Sequence, residues 1–98
     1  MKNCILDFET AAAALFAISH PIRLQILTLT AGGEWDACSL SARLDASEPA
    51  ISKHLQMLRT ANLISGRQEG RRIYYTPSAS AKALLKATDG LSEAISQT

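Results

Sequence analysis

The sequence predicts a mainly α-helical fold with one small β-hairpin, and three observations predict it. Apolar residues recur at helical spacing in five segments. Between the fourth and fifth of them come two short strand-like runs flanking Glu69-Gly70, the second rich in Ile73, Tyr74 and Tyr75. The breakers His20-Pro21, Gly32-Gly33, Asp45-Ala46-Ser47 and Pro77-Ser78 fall between segments. With 98 residues, 47% hydrophobic and 19% charged, the chain suits one domain, residues 1–98, too short for two and too apolar for disorder. A domain this small buries only ~65% of its unfolded surface, so pairing with a second copy adds much to its stability.

The first helix is expected from about Asp7 to Ser19, with Phe8, Ala12, Ala13, Leu15 and Phe16 at helical spacing and acidic side chains at its start, where they complement the helix dipole. His20 precedes a proline and is pushed out of helical geometry, while Pro21 suits the first turn of a second helix running to about Thr30. Ile22, Ile26, Leu27 and Leu29 make that helix largely buried, and Gly32-Gly33 is expected to end it through positive backbone angles. A short third helix, Ala37 to Leu44, meets a fourth, about Glu48 to Ala61, across Asp45-Ala46-Ser47. Ser47 can cap the fourth helix, Pro49 lies within its first turn, and Asn62 stands where a left-handed residue ends it. Strands are expected at Leu63 to Gln68 and Arg71 to Thr76, and a last helix from Ala81 to about Ile95.

Two helices joined by a three-residue turn make a helix-turn-helix, and a two-stranded hairpin, marginal alone, must pack on the helices as a wing. Charge singles out the same segment. The formal net charge is only +1, but residues 49 to 77 carry Lys53, Arg59, Arg67, Arg71 and Arg72 against Glu69 alone, whereas residues 1 to 42 are net acidic. A phosphate-binding surface belongs there.

With Ile51, Leu55 and Leu58 turned inward, 100° per residue puts Pro49, Lys53, Gln56 and Thr60 on the opposite face and Ala50 and Ser52 on its flanks. Gln pairs with adenine edges, Lys with guanine or phosphate, Ser with several groups and Ala with a thymine methyl. A merely solvated face has the same polarity. The setting, a recognition helix followed by a basic wing tip at Arg71 and Arg72, favours DNA. His54 falls about 60° from the buried stripe, where it either donates to a phosphate or packs at the domain edge. His20, just before Pro21, reads mainly as local geometry.

Three runs of the sequence are similar to motifs of the ArsR/SmtB family of winged helix-turn-helix repressors. These are His20-Pro21-Ile22-Arg23-Leu24-Gln25-Ile26-Leu27; Ser47 to Leu55, continuing through Leu58-Arg59 to Ala61-Asn62-Leu63-Ile64; and Gln68-Glu69-Gly70-Arg71-Arg72-Ile73-Tyr74-Tyr75. The resemblance extends from about residue 8 to residue 95. It implies a homodimer through the first and last helices that represses an operon from an inverted-repeat operator and leaves the DNA when an inducer binds. Its DNA-binding residues would be Ser47, Pro49, Ala50, Ser52, Lys53, His54, Gln56, Arg71 and Arg72. Glu48 departs from the glutamine of many members, and its charge repels phosphate although it suits a helix N-terminus.

The same resemblance narrows the inducer. Members with a metal site on the last helix use Asp and His ligands, whereas residues 78 to 98 hold Asp89 and Glu93 but no His; dithiol sensors place a cysteine where this chain has Thr28. Thiol-rich metal and metalloid sensors carry Cys-x-Cys where this chain has Asp36 and Cys38, and some complete the site from the N-terminal arm, where Cys4 lies. Soft metals and trivalent arsenic or antimony prefer thiolate, so Cys4, Cys38 and Asp36 are the candidate effector residues. The alternatives are a thiol redox or reactive-sulfur sensor, an inducer-independent regulator, and two cysteines that never meet.

Other classes fare worse. The two cysteines are too few for a disulfide framework and match no CxxC pattern. No Gly-rich phosphate loop, close carboxylate pair or nucleophile beside a histidine points to an enzyme. No cofactor is expected beyond a soft metal or metalloid inducer. Ala11 to Ile18 is far short of a bilayer span, and Asp7 and Glu9 stand where a signal peptide is basic, so a cytoplasmic protein with no membrane partner is expected. A winged helix turned to an acidic protein partner is the remaining competitor.

Overall fold

Every helix begins where the sequence offers an acceptor to its unpaired amides. The computed structural model describes residues 7–96. The elements are α1 (Phe8–Ile18), α2 (Pro21–Gly32), α3 (Ala37–Leu44), α4 (Glu48–Thr60), β1 (Ile64–Glu69), β2 (Arg72–Pro77) and α5 (Ala79–Ser96). Asp7 caps α1 by accepting from the Thr10 amide, and His20 Nδ1 caps α2 by accepting from Ile22 N–H, each at 3.1 Å. Asp36 and Ser47 cap α3 and α4, accepting from Ser39 N–H at 2.8 Å and Ala50 N–H at 3.2 Å. Ser78 Oγ accepts from Ala81 N–H, so α5 starts two residues before the position its apolar pattern suggests.

Two expectations about the backbone need correction. Gly33 leaves α2 in extended geometry (φ −175°, ψ −172°), so no positive angle ends this helix. The extended exit carries the chain to Trp35, whose carbonyl accepts from Tyr75 N–H at 3.1 Å and docks the α2–α3 connection on β2. The hairpin tip is also one residue later than expected. Glu69 pairs with Arg72 across the ladder, leaving Gly70 and Arg71 as the turn. Gly70 takes φ 64°, as the first residue of such a tight turn requires. Left-handed Asn62 (φ 59°) ends α4 as expected, and Asp45 (φ 53°) makes the corner between α3 and α4.

The core is one cluster fed by every element: Ala17, Ile18, Ile26, Leu27, Leu40, Ile51, Leu55, Leu58, Leu63, Ile64, Tyr75 and Ala81. Ile26, Leu27, Leu40, Ile51 and Leu58 have no exposed surface. Gly66 makes room within the hairpin itself, since a Cβ there would come within 2.7 Å of Ile73 Cγ2 on β2. The apolar stripe of α1 does not join in. Only Ala17 and Ile18 of that helix are buried, while Phe8, Leu15 and Phe16 are 75%, 55% and 64% exposed. Among the described residues, no single helix is long and apolar enough to cross a membrane.

Candidate nucleic-acid interface

Burial of Ile51, Leu55 and Leu58 fixes the rotation of α4. Pro49, Ser52, Lys53, Gln56 and Thr60 are exposed as a result, with Ala50 and His54 half-buried at the margins. Ser47 is exposed at the start of the helix, its oxygen engaged by Ala50 N–H. The face that sequence periodicity assigned to a groove is therefore the open face of the helix.

The wing lies beside it. Arg71 sits exposed at the turn, and Ser52, Glu48, Cys38, Asp36, Arg71 and Arg72 border one open cleft of about 480 Å³ between α3, α4 and the hairpin. Arg71 and Arg72 are not equivalent. Arg72 Nη1 donates to Asp36 Oδ2 at 2.7 Å, which draws its guanidinium back toward α3. Arg67, one of the basic residues of the segment but not among the expected DNA contacts, bridges Glu34 and Glu69 at 2.7 Å each and lies over the Tyr74 ring, 5.6 Å from its centroid. The Glu34 pair fastens the hairpin to the α2–α3 connection, and together the two pairs occupy one of the basic residues of the segment.

His54 is held from behind. Its Nδ1 accepts from Arg23 Nε–H at 3.1 Å, and its ring packs on His20 with centroids 4.5 Å apart and planes tilted by 48°. Burial first, then the neighbouring His20 and Arg23, push its pKa below the ordinary imidazole value. Arg23 was absent from the expected site. Its sequence signal is its place in the first turn of α2, within the family-like run His20 to Leu27.

Of the effector residues, Cys38 is exposed in the first turn of α3. Asp36 is buried with both oxygens engaged, one by Ser39 N–H and the other by Arg72. Hydrogen bonds from Ser39, and then Arg72, hold its carboxyl below the usual carboxylate range. Cys4 lies outside the described residues. Among the described residues no three His, Cys, Asp or Glu side chains cluster as a metal site. Asp36 stands in the structure as the cap of α3 and the partner of Arg72.

Residues 20–65 match the family described as bacterial regulatory protein, arsR family. The chain is 39% identical over 87 residues to the nodulation protein NolR of Rhizobium meliloti, spanning 89% of this chain and 70% of that one. The chain belongs to the ArsR family. As an ArsR-family chain it is also similar to the transcriptional repressor SdpR of Bacillus subtilis (42% identical, 61% of this chain and 67% of that one) and to the transcriptional activator HlyU of Vibrio cholerae (36%, 78% and 71%). Among solved structures it is similar to a homodimeric winged helix-turn-helix DNA-binding domain from Mycobacterium bovis, with a TM-score of 0.81, 26% identity, and coverage of 88% of this chain and 81% of that one. The five helices and two-stranded hairpin are thus the winged helix-turn-helix of ArsR-family regulators, as the sequence motifs led one to expect.

Proposed function

We infer that this chain is a transcriptional repressor that binds an inverted-repeat operator as a homodimer through α1 and α5. The observation that carries this reading is the open polar face of α4, Pro49, Ser52, Lys53 and Gln56, beside the exposed Arg71 of the wing. Exposed Phe8, Leu15 and Phe16 support pairing through α1, and a homodimeric relative of the same fold supports it further. Two symmetry-related recognition helices then enter successive major grooves ~34 Å apart. The test is a gel shift on the region upstream of the protein's own gene, read with transcription from that promoter in vitro. Retardation with loss of transcript supports repression; retardation with gain of transcript points to activation, as in the name of HlyU; no retardation removes the DNA-binding reading.

Release by a thiol-directed inducer, a soft metal or trivalent metalloid, is the finer part of the proposal. Its support is the position of exposed Cys38 in the cleft that also holds Ser52, Arg71 and Arg72, where anything bound to sulfur would lie among the DNA-facing groups. Operator binding by wild type, Cys4→Ser and Cys38→Ser, each with and without arsenite, cadmium and peroxide, separates the alternatives. Metalloid or metal release that needs both thiols supports a coordinate site, and peroxide release reversed by a reductant supports a redox switch. Equal responses in all three proteins make the cysteines bystanders, and the inducer must then be sought elsewhere.

A further inference from the structure

Arg23 ties three helices together. From α2 its Nε–H donates to His54 Nδ1 on α4 at 3.1 Å, and its Nη1 donates to the carbonyls of Ala17 and Phe16 at the end of α1, at 3.1 and 3.4 Å. A guanidinium has no acceptor and keeps its hydrogens at all physiological pH, so the nitrogen it meets on His54 must be the bare one. A neutral imidazole with a bare Nδ1 carries its proton on Nε2, on the far side of the ring.

We propose that Arg23 is a positioning residue for DNA binding: it locks His54 in the Nε2–H tautomer, with the ring fixed against His20, so that the helix margin presents one N–H donor to a DNA phosphate. The same side chain ties that donor to the end of α1, the helix through which the dimer is built. The proposal rests on the DNA-binding reading above. Its electrostatics are consistent. The charged and titratable groups acting on the His54 ring are His20, the cap of α2, and Arg23 on α2; α1 contributes only the carbonyls that Arg23 holds. Among the described residues no carboxylate bonds to any of the three side chains. A proton on Nδ1 would point at Arg23 Nε–H and add a second cation beside the first, so the neutral ring is the one that fits.

The test is the imidazole nitrogen spectrum of His54 in the free protein, together with a cycle of operator affinities for wild type, Arg23→Met, His54→Ala and the double variant. The expected spectrum is the Nε2–H pattern in wild type at neutral pH. In Arg23→Met the tautomers mix and the His54 titration moves up toward the ordinary imidazole range. Operator affinity is expected to fall about tenfold on Arg23→Met, the scale of one lost hydrogen bond to a charged group, and less than about twofold when His54 is already alanine. If Arg23→Met does not fold, Arg23→Lys is read with the opposite sign: an ammonium reaching Nδ1 is expected to keep the Nε2–H tautomer and most of the operator affinity, and mixed tautomers with unchanged affinity would overturn the proposal. An Nδ1–H pattern in wild type overturns the proposal, and so does an equal loss of affinity with and without His54. A wild type that shows the expected tautomer but binds no operator fails the DNA-binding reading and the positioning role with it, an outcome the spectrum distinguishes from failure of the lock itself.

Discussion

Helix α1 buries only its C-terminal end, Ala17 and Ile18, whereas α4 buries one whole side, and what the two expose is opposite in kind. On α1 the open side is apolar, with Phe8, Leu15 and Phe16 in water in the single chain. On α4 it is polar, with Ser52, Lys53 and Gln56. An isolated large apolar side chain on a surface needs no explanation, whereas three on one short helix form a patch of the kind that marks an interface. A polar face fixed in place by a fully buried one is instead a surface for a hydrated, charged partner. The difference teaches that exposure has two meanings here: α1 is an interior awaiting its second half, and α4 is finished.

Breaking α1 should have the largest effect. Phe8→Asp with Leu15→Asp removes side chains whose burial is worth ~1.5–3 kcal/mol each and does so in both protomers. The expected outcome is a dissociation constant for the dimer raised by at least about a hundredfold, read by sedimentation at micromolar protein, with operator affinity falling alongside. Light scattering should give twice the mass of one chain for wild type and a single chain for the variant. A variant that stays paired would show that α1 is not the face that pairs.

The matching change on α4 should leave assembly alone. Gln56→Ala or Ser52→Ala is expected to cost ~1–3 kcal/mol of discrimination between operator and altered sites, with melting temperature and dimer mass unchanged. Equal loss on every sequence would make these side chains backbone contacts and not readers of bases.

A finer comparison lies within the wing. Arg71 is exposed at the turn, whereas Arg72 is paired with Asp36. Arg71→Ala should lower the slope of log affinity against log salt by about 0.9, the value for one phosphate contact. Arg72→Ala should lower it by less, because its charge is already shared with a carboxylate. Equal slopes would mean that the Asp36 pair opens when DNA binds.

The parts of this architecture written over three or four residues could be read in the sequence. The cap at Ser47, the left-handed Asn62 and the inward row Ile51, Leu55 and Leu58 all follow from local spacing. The hairpin tip was misplaced by one residue because Glu69-Gly70 and Gly70-Arg71 both offer a glycine turn, and only the docking of Tyr75 on Trp35 and the core chooses between them. The DNA-facing set was legible as a face, but what stands behind it was not. Arg23 meets His54 across 31 residues and Arg72 meets Asp36 across 36. No periodicity encodes such pairs, and a basic residue tied to a carboxylate looks the same in the sequence as one left free for phosphate. Asp36, read as an oxygen donor for an effector, sits in the structure as a helix cap and wing anchor.

That double role gives the smallest effect and the sharpest sign. The folded Asp36 carboxyl is held below its ordinary value by Ser39 and Arg72. As pH falls through about 4 the unfolded chain takes up its proton first, so this residue's contribution is fully present above that pH and is lost as pH drops toward the folded value. Asp7, held low by Thr10, works in the same window and in the same direction, so the informative quantity is the difference between wild type and Asp36→Asn. Asparagine keeps the cap on α3 but loses the charge that meets Arg72, an arginine more than half exposed. A loss of about 1 kcal/mol or less at pH 7 is therefore expected in urea unfolding, shrinking as pH falls below the ordinary carboxylate range. The same variant frees Arg72, whose share of the salt slope should rise toward that of Arg71. A pH-independent difference would show that Asp36 acts on the fold only through its shape.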